Sequence, residues 1–264
     1  MSRGFCLLLI LLLLGTTATA GAANSDRPDC SRRLTLALHD HGLLYSAETD
    51  SGIDREFADQ LIARSGCQIA VNVMPRARIW QLIESGALDF SLSGIATEER
   101  KRFAGFAWYF ANKYYLLARR DAGVASLADF TRKRKLKLGA IRSFRYGKNA
   151  NDMLRQLDAE QRVEYADRLQ PLYQILARNR VQGMIIEPFD YPQIETTPIR
   201  AITTIIDTGD PPVAHGLIMS HKSLPAAEQQ KWRALVNEMR ADGTVRRIFS
   251  NYFSAELAHS MVEF

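Results

Sequence analysis

Cysteine is scarce in this chain: Cys6, Cys30 and Cys67 are the three among 264 residues. They form no CxxC pair, and neither Cys30 nor Cys67 has a His/Cys spacing that suits zinc. The five histidines (His39, His41, His215, His221 and His259) are scattered, and the alternating His39 and His41 alone make a poor metal site. No metal and no cofactor is expected. The chain also lacks a P-loop, a GxSxG elbow, an HExxH helix and a Ser-His-Asp spacing, which removes the common signatures of nucleotide binding and hydrolysis. Repeats, low-complexity tracts and Pro/Gly-rich linkers are missing too, so no floppy tether divides the chain.

Only one apolar run is long enough to notice, and it lies at the start. Arg3 precedes Cys6-Leu-Leu-Leu-Ile-Leu-Leu-Leu-Leu14, followed by the small residues Ala18-Thr-Ala-Gly-Ala-Ala23. This is the order of a secretory signal peptide over residues 1–23, with cleavage near Ala20 to Ala23. The run falls short of the ~20 apolar residues a membrane helix needs. Cys30 follows Arg27-Pro-Asp, which is not the small apolar context of a lipid-modified cysteine. Export to the periplasm removes Cys6 with the signal, and the even pair Cys30 and Cys67 is then expected to form a disulfide.

Hydrophobic residues make up 47% and charged residues 24%, the balance of an ordinary globular protein. The net charge of +5 is concentrated in Arg132-Lys-Arg-Lys135 with Lys137, which is expected to be a solvated face. No nucleic acid partner is expected of an exported protein.

The periodicity alternates between strand and helix. Strands are predicted at 34–38, 68–73, 90–93, 137–141, 162–165, 183–186 and 214–219. Helices are predicted at 53–65, 76–85, 126–130, 151–157, 171–178 and 225–242, with Gly66, Gly86 and Gly243 as stops. Thr97 reads as the N-cap of another helix, with Glu98 and Glu99 placed well against its dipole. Such alternation predicts an α/β fold with mainly parallel sheets flanked by helices.

Four pieces in order resemble the bacterial extracellular solute-binding proteins of polar amino-acid ABC importers, a type II periplasmic binding fold. They are Gly52-Ile-Asp54 with Phe57 and Leu61, Gly86-Ala-Leu-Asp89, Ser93-Gly-Ile-Ala-Thr97-Glu-Glu-Arg100, and Asp242-Gly-Thr244 with Ile248 and Tyr252-Phe253. The resemblance spans nearly the whole mature chain. It implies two lobes, one of residues 24–117 and 213–264 and the other of residues 118–212, joined by a two-segment hinge near Leu117 and Pro212. It also implies a monomer that captures a small carboxylate-bearing ligand between the lobes and delivers it to an ABC permease in the inner membrane.

By this resemblance Arg100 grips the ligand carboxylate, helped by the backbone near Ser93 and Ile95. An arginine fork holds a carboxylate bidentately, and a helix start would add N–H groups. Glu187, after the strand at 183–186, falls where the family places an acid for the α-ammonium group. The chain departs from the family in this Glu for Asp, in Ile95 for Ser or Thr, and in the loop Ser143-Phe144-Arg145, which points to a different ligand shape or to additional negative charge. Arg76, after Met74-Pro75, is a further candidate, while Arg78 reads as solvated. Tyr45, Trp108 and Tyr146 are candidate cleft walls. Two rival functions follow from the same pieces: a periplasmic dehydratase with Glu187 as general acid, and a sensing domain that docks on a receptor.

Overall fold

The structure is a computed structural model and describes residues 26–264; the signal peptide expected over 1–23 lies outside the described residues. Strand β1 is Leu34–Leu38, and all but Thr35 of it is buried. A strand covered on both faces carries little alternation, which is the mark of a central parallel strand. It is followed by α1 (Ile53–Ser65), β2 (Ile69–Val73), α2 (Arg76–Ser85) and β3 (Phe90–Gly94). Both helices stop, as predicted, on left-handed Gly66 and Gly86.

The longest strand, β4 (Ala104–Asn112), was not anticipated. Its sequence Ala-Gly-Phe-Ala-Trp-Tyr-Phe-Ala-Asn is almost wholly apolar and buried, so it shows no period of two. After it come β5 (Tyr115–Arg119), α3 (Leu127–Arg132), β6 (Leu138–Ile141), α4 (Lys148–Ala159), β7 (Val163–Ala166), α5 (Leu169–Ala177) and β8 (Gly183–Ile186). The short helices α6 (Tyr191–Glu195) and α7 (Ile199–Ile202) lead into β9 (Thr203–Asp207) and β10 (Val213–Ser220). Helices α8 (Ala226–Ala241), α9 (Thr244–Ser250) and α10 (Ala255–Val262) complete the chain.

The strands form two five-stranded sheets, ordered β2-β1-β3-β10-β4 and β7-β6-β8-β5-β9. In each sheet one strand runs against the rest: β10 is antiparallel to β3 and β4, and β5 is antiparallel to β8 and β9. Each reversed strand is the first one the chain makes on entering its sheet from the other. The chain leaves the first sheet between Asn112 and Tyr115 and returns between Asp207 and Val213. Leu117 therefore lies within β5, downstream of the first passage.

The first sheet buries Phe57, Phe90, Tyr109, Phe110, Trp232 and Phe249 under α1 and α8–α10. Phe189, which follows β8 of the second sheet, also packs in this cluster, edge-on to Phe110 at 5.4 Å. The two sheets thus share core as well as chain. Cys30 and Cys67 precede β1 and β2, parallel neighbours in the register Leu34↔Ile69, and they form a disulfide with a Cα separation of 4.8 Å.

One local expectation fails. The helix predicted after Thr97 is a single 3-10 turn, Arg100–Arg102. Thr97 still caps it through its hydroxyl, which accepts from the Arg100 N–H at 3.1 Å. One turn carries too small a dipole to make an anion site, so any anion here must be held by side chains.

Candidate functional site

The loops that follow β1, β2 and β3 of one sheet face those that follow β6 and β8 of the other. The carboxyl ends of parallel strands are where open α/β sheets place ligands. Leu44, Arg76, Trp80, Ser93, Gly94, Ile95, Arg100, Tyr114, Phe144, Arg145, Glu187 and His215 surround a cavity of about 20 Å³ between them. This is room for about one water molecule, so a larger ligand requires the two sets of loops to separate.

Two buried arginines dominate the cavity. The Arg100 guanidinium lies 3.8 Å over the Trp80 ring and donates to the Ile95 carbonyl at 3.0 Å and the Ser143 carbonyl at 2.7 Å. The second bond crosses from one sheet's loops to the other's. Burial first, and then the charges of Arg145 and Arg76, push the Arg100 pKa down to about 9. Arg76, equally buried at the start of α2, donates to the Leu92 carbonyl at 3.0 Å and faces the Phe144 ring at 5.6 Å. Its pKa is also lowered by burial, although Asp54 and Glu187 work against the shift. Among the described residues, neither guanidinium has a carboxylate within the 4.0 Å of an ion pair. Arg145, half-buried, reaches the cavity from the second sheet and donates to the Phe144 carbonyl at 2.8 Å.

The nearby carboxylates are engaged elsewhere. Glu187 accepts from His41 Nε2 at 2.8 Å and from Asn112 Nδ2 at 2.9 Å. Burial alone would raise its pKa, but these hydrogen bonds and the charges of His41 and His215 outweigh it and hold Glu187 below its ordinary value. His41 is shifted upward: its burial is outweighed by Asp190 and Glu187. Asp54 is raised to about 6 by burial, and it accepts from the Ser93 hydroxyl at 2.6 Å and the Tyr109 hydroxyl at 3.1 Å.

Ser93 is held at φ 52, a left-handed conformation that is costly for a serine. Its hydroxyl is bonded to Asp54, and its N–H donates to Tyr109 Oη at 2.9 Å, so neither group points at a ligand. Ile95 contributes its carbonyl to Arg100. Ser143, also left-handed at φ 63, does the same from the other side. Phe144 fills the space between, stacked on His41 at 4.9 Å and tilted against His39 at 5.4 Å. Tyr45 is not at the cavity. It packs in the core of the first sheet, with its hydroxyl 3.0 Å from Asp50 Oδ1.

Trp80, Tyr114, His41 and His215 were not anticipated as parts of this site. Trp80 had a signal, since it stands four residues after Arg76 on one helix and so shares its face. His41 had none that local pattern carries. Its partner Glu187 is 146 residues away.

Residues 43–255 match the family described as bacterial extracellular solute-binding proteins, family 3. The chain belongs to that family. It is a solute-binding protein on the two-lobed periplasmic binding fold, of a family that binds rather than transforms its solutes. Over 194 residues it is 26% identical to the arginine-binding extracellular protein ArtP of Bacillus subtilis, covering 70% of this chain and 73% of the relative. Its fold matches an ancestral arginine-binding protein bound to arginine with a TM-score of 0.72 at 18% identity, over 86% of this chain and all of that one. A histidine kinase sensor domain similar to periplasmic binding proteins matches at 0.70 and 14% identity, over 84% of this chain and 96% of that one.

Proposed function

We propose that this solute-binding protein captures a small carboxylate-bearing ligand, an amino acid or a related acid, in the cleft between its sheets. As a periplasmic monomer it would then pass the ligand to an ABC permease of the inner membrane. Arg100 carries this reading. A buried cation whose protein partners are two neutral carbonyls lacks its counter-ion, and burying a charge without one is costly. A ligand carboxylate would take the bidentate place now shared with the Ser143 carbonyl. The arginine-binding relatives fit the same reading at the α-carboxylate, and in this reading Glu187, which lines the cavity, meets an α-ammonium group once the cleft opens.

The lobes of this reading are built on the two sheets, residues 26–112 with 213–264 and residues 115–207, and the two passages of chain between the sheets are the hinge. Closure follows from ligand contacts that bridge the lobes and shift the population toward the closed form. A general-acid role for Glu187 finds no support. Such a group needs a pKa near the working pH, and His41 and Asn112 hold Glu187 below its ordinary value instead. Docking on a sensor receptor would change the partner, not the cleft.

The test is calorimetry on Arg100 variants with the ligand found by a thermal-shift screen of amino acids and other carboxylates. Arg100→Ala should weaken binding roughly tenfold to a few hundredfold, and Arg100→Lys should recover only part of the loss. Unchanged affinity in Arg100→Ala would move the carboxylate site elsewhere.

A further inference from the structure

We propose that the ligand is a dicarboxylate, with one carboxylate on Arg100 and the second on Arg76, which thereby sets specificity. This rests on the carboxylate-binding reading of the cleft and deepens it. Three guanidinium groups, Arg76, Arg100 and Arg145, line one small cavity, against the single carboxylate of Glu187. Glu187 forms no ion pair with any of them; its oxygens accept from His41 and Asn112, and the nearest cation to its charge is His41 at 2.8 Å. A ligand with one carboxylate and one ammonium group adds no net negative charge and leaves the excess standing.

Arg76 is a poor candidate for a merely structural cation. A guanidinium has five N–H donors, and the protein acceptor Arg76 meets is the Leu92 carbonyl. It is 4% exposed and has no ion pair among the described residues. It also stands one turn before Trp80 on α2, the ring on which Arg100 lies, so both guanidinium groups face the cavity across one helix face. Phe144 covers Arg76 from the other sheet and would move aside with its lobe as the cleft opens. A cationic ligand side chain would meet the like charges of three guanidinium groups in a water-poor space.

The experiment compares diacids with their mono-amides on the mature protein, by calorimetry and thermal shift. L-Glutamate, L-aspartate, 2-oxoglutarate and succinate are set against L-glutamine, L-asparagine and L-arginine. At least one diacid should bind roughly tenfold to a hundredfold more tightly than its amide and than L-arginine. The amino and non-amino diacids separate a site that uses Glu187 for an ammonium group from one that does not. In Arg76→Gln the preference of diacid over amide should collapse, with diacid affinity falling further than amide affinity. Arg100→Lys should weaken both.

Tight binding of an amide or of L-arginine with no diacid preference, lost in Arg100→Ala, would overturn this proposal and leave the carboxylate reading intact. Binding of no carboxylate at millimolar concentration would overturn both. The wild-type comparison decides even if Arg76→Gln does not fold.

Discussion

Glu187 and His41 meet at 2.8 Å from loops of different sheets, and each side chain is almost wholly buried. Asn112, at the first passage between the sheets, holds the second oxygen of Glu187, and Asp190 accepts from its backbone N–H at 3.0 Å. The pair therefore fastens the two sheets beside the hinge. Breaking a buried pair leaves an uncompensated charge, so His41→Phe should cost about 3–5 kcal/mol. Combined with Glu187→Gln it should cost less than the sum, with a coupling of about 1–3 kcal/mol in urea unfolding. Additive losses would show that the two groups do not act as a pair.

His215 makes stability depend on pH. Its Nδ1 faces the Val213 carbonyl at 2.8 Å and so carries the proton, and its Nε2 accepts from the Tyr114 hydroxyl at 2.8 Å. Burial lowers its pKa from 6.5 to about 4. A depressed folded-state value means the stabilisation is complete above pH 6.5 and is lost as pH falls through 4, about 3 kcal/mol in all. Asp54, raised from 3.8 to about 6, acts oppositely: its contribution is complete below pH 3.8 and lost as pH rises through 6. The difference between wild type and His215→Phe isolates the histidine. It should shrink by about 2–3 kcal/mol between pH 7 and pH 4. A difference that does not change with pH would contradict this account.

The disulfide closes a loop between residues 37 apart in sequence. Constraining the unfolded chain over that length is worth about 3–4 kcal/mol in the chain-entropy model. Thiol titration of the unfolded, unreduced mature protein should detect no free thiol. Cys30→Ala with Cys67→Ala should lower stability by about that amount. Two titratable thiols would refute the bond.

Gly42 is held against the segment after β8. Its φ is 50, and a Cβ there would lie 2.4 Å from the Phe189 carbonyl oxygen, which also accepts from the Leu43 N–H at 3.0 Å. Backbone on both sides leaves nothing flexible to yield, and Phe189 is anchored in the core of the first sheet. Gly42→Ala should therefore cost at least ~2 kcal/mol. A shift of the urea midpoint corresponding to less than ~0.5 kcal/mol would mean that the loop relaxes freely.

The sequence by itself determined most of the frame. The helices at 53–65 and 76–85 appear with the predicted ends because apolar spacing and a following glycine are local properties. The disulfide was legible because Cys30 and Cys67 are the two cysteines outside the expected signal peptide, and the place of Arg100 at the cavity because it stands in a recognisable loop. What escaped was non-local or lacked a period. Strand β4 is buried on both faces and shows no alternation, and the helix expected after Thr97 is a single turn before the chain enters β4 at Ala104. Only the tertiary structure decided that Tyr45 belongs to the core, that Glu187 is held by His41 and Asn112, and that Arg76 shares a cavity with Arg100. Periodicity reports which side of an element is buried; it does not report which distant loop supplies the partner, and in this cleft the partners come from the ends of different sheets.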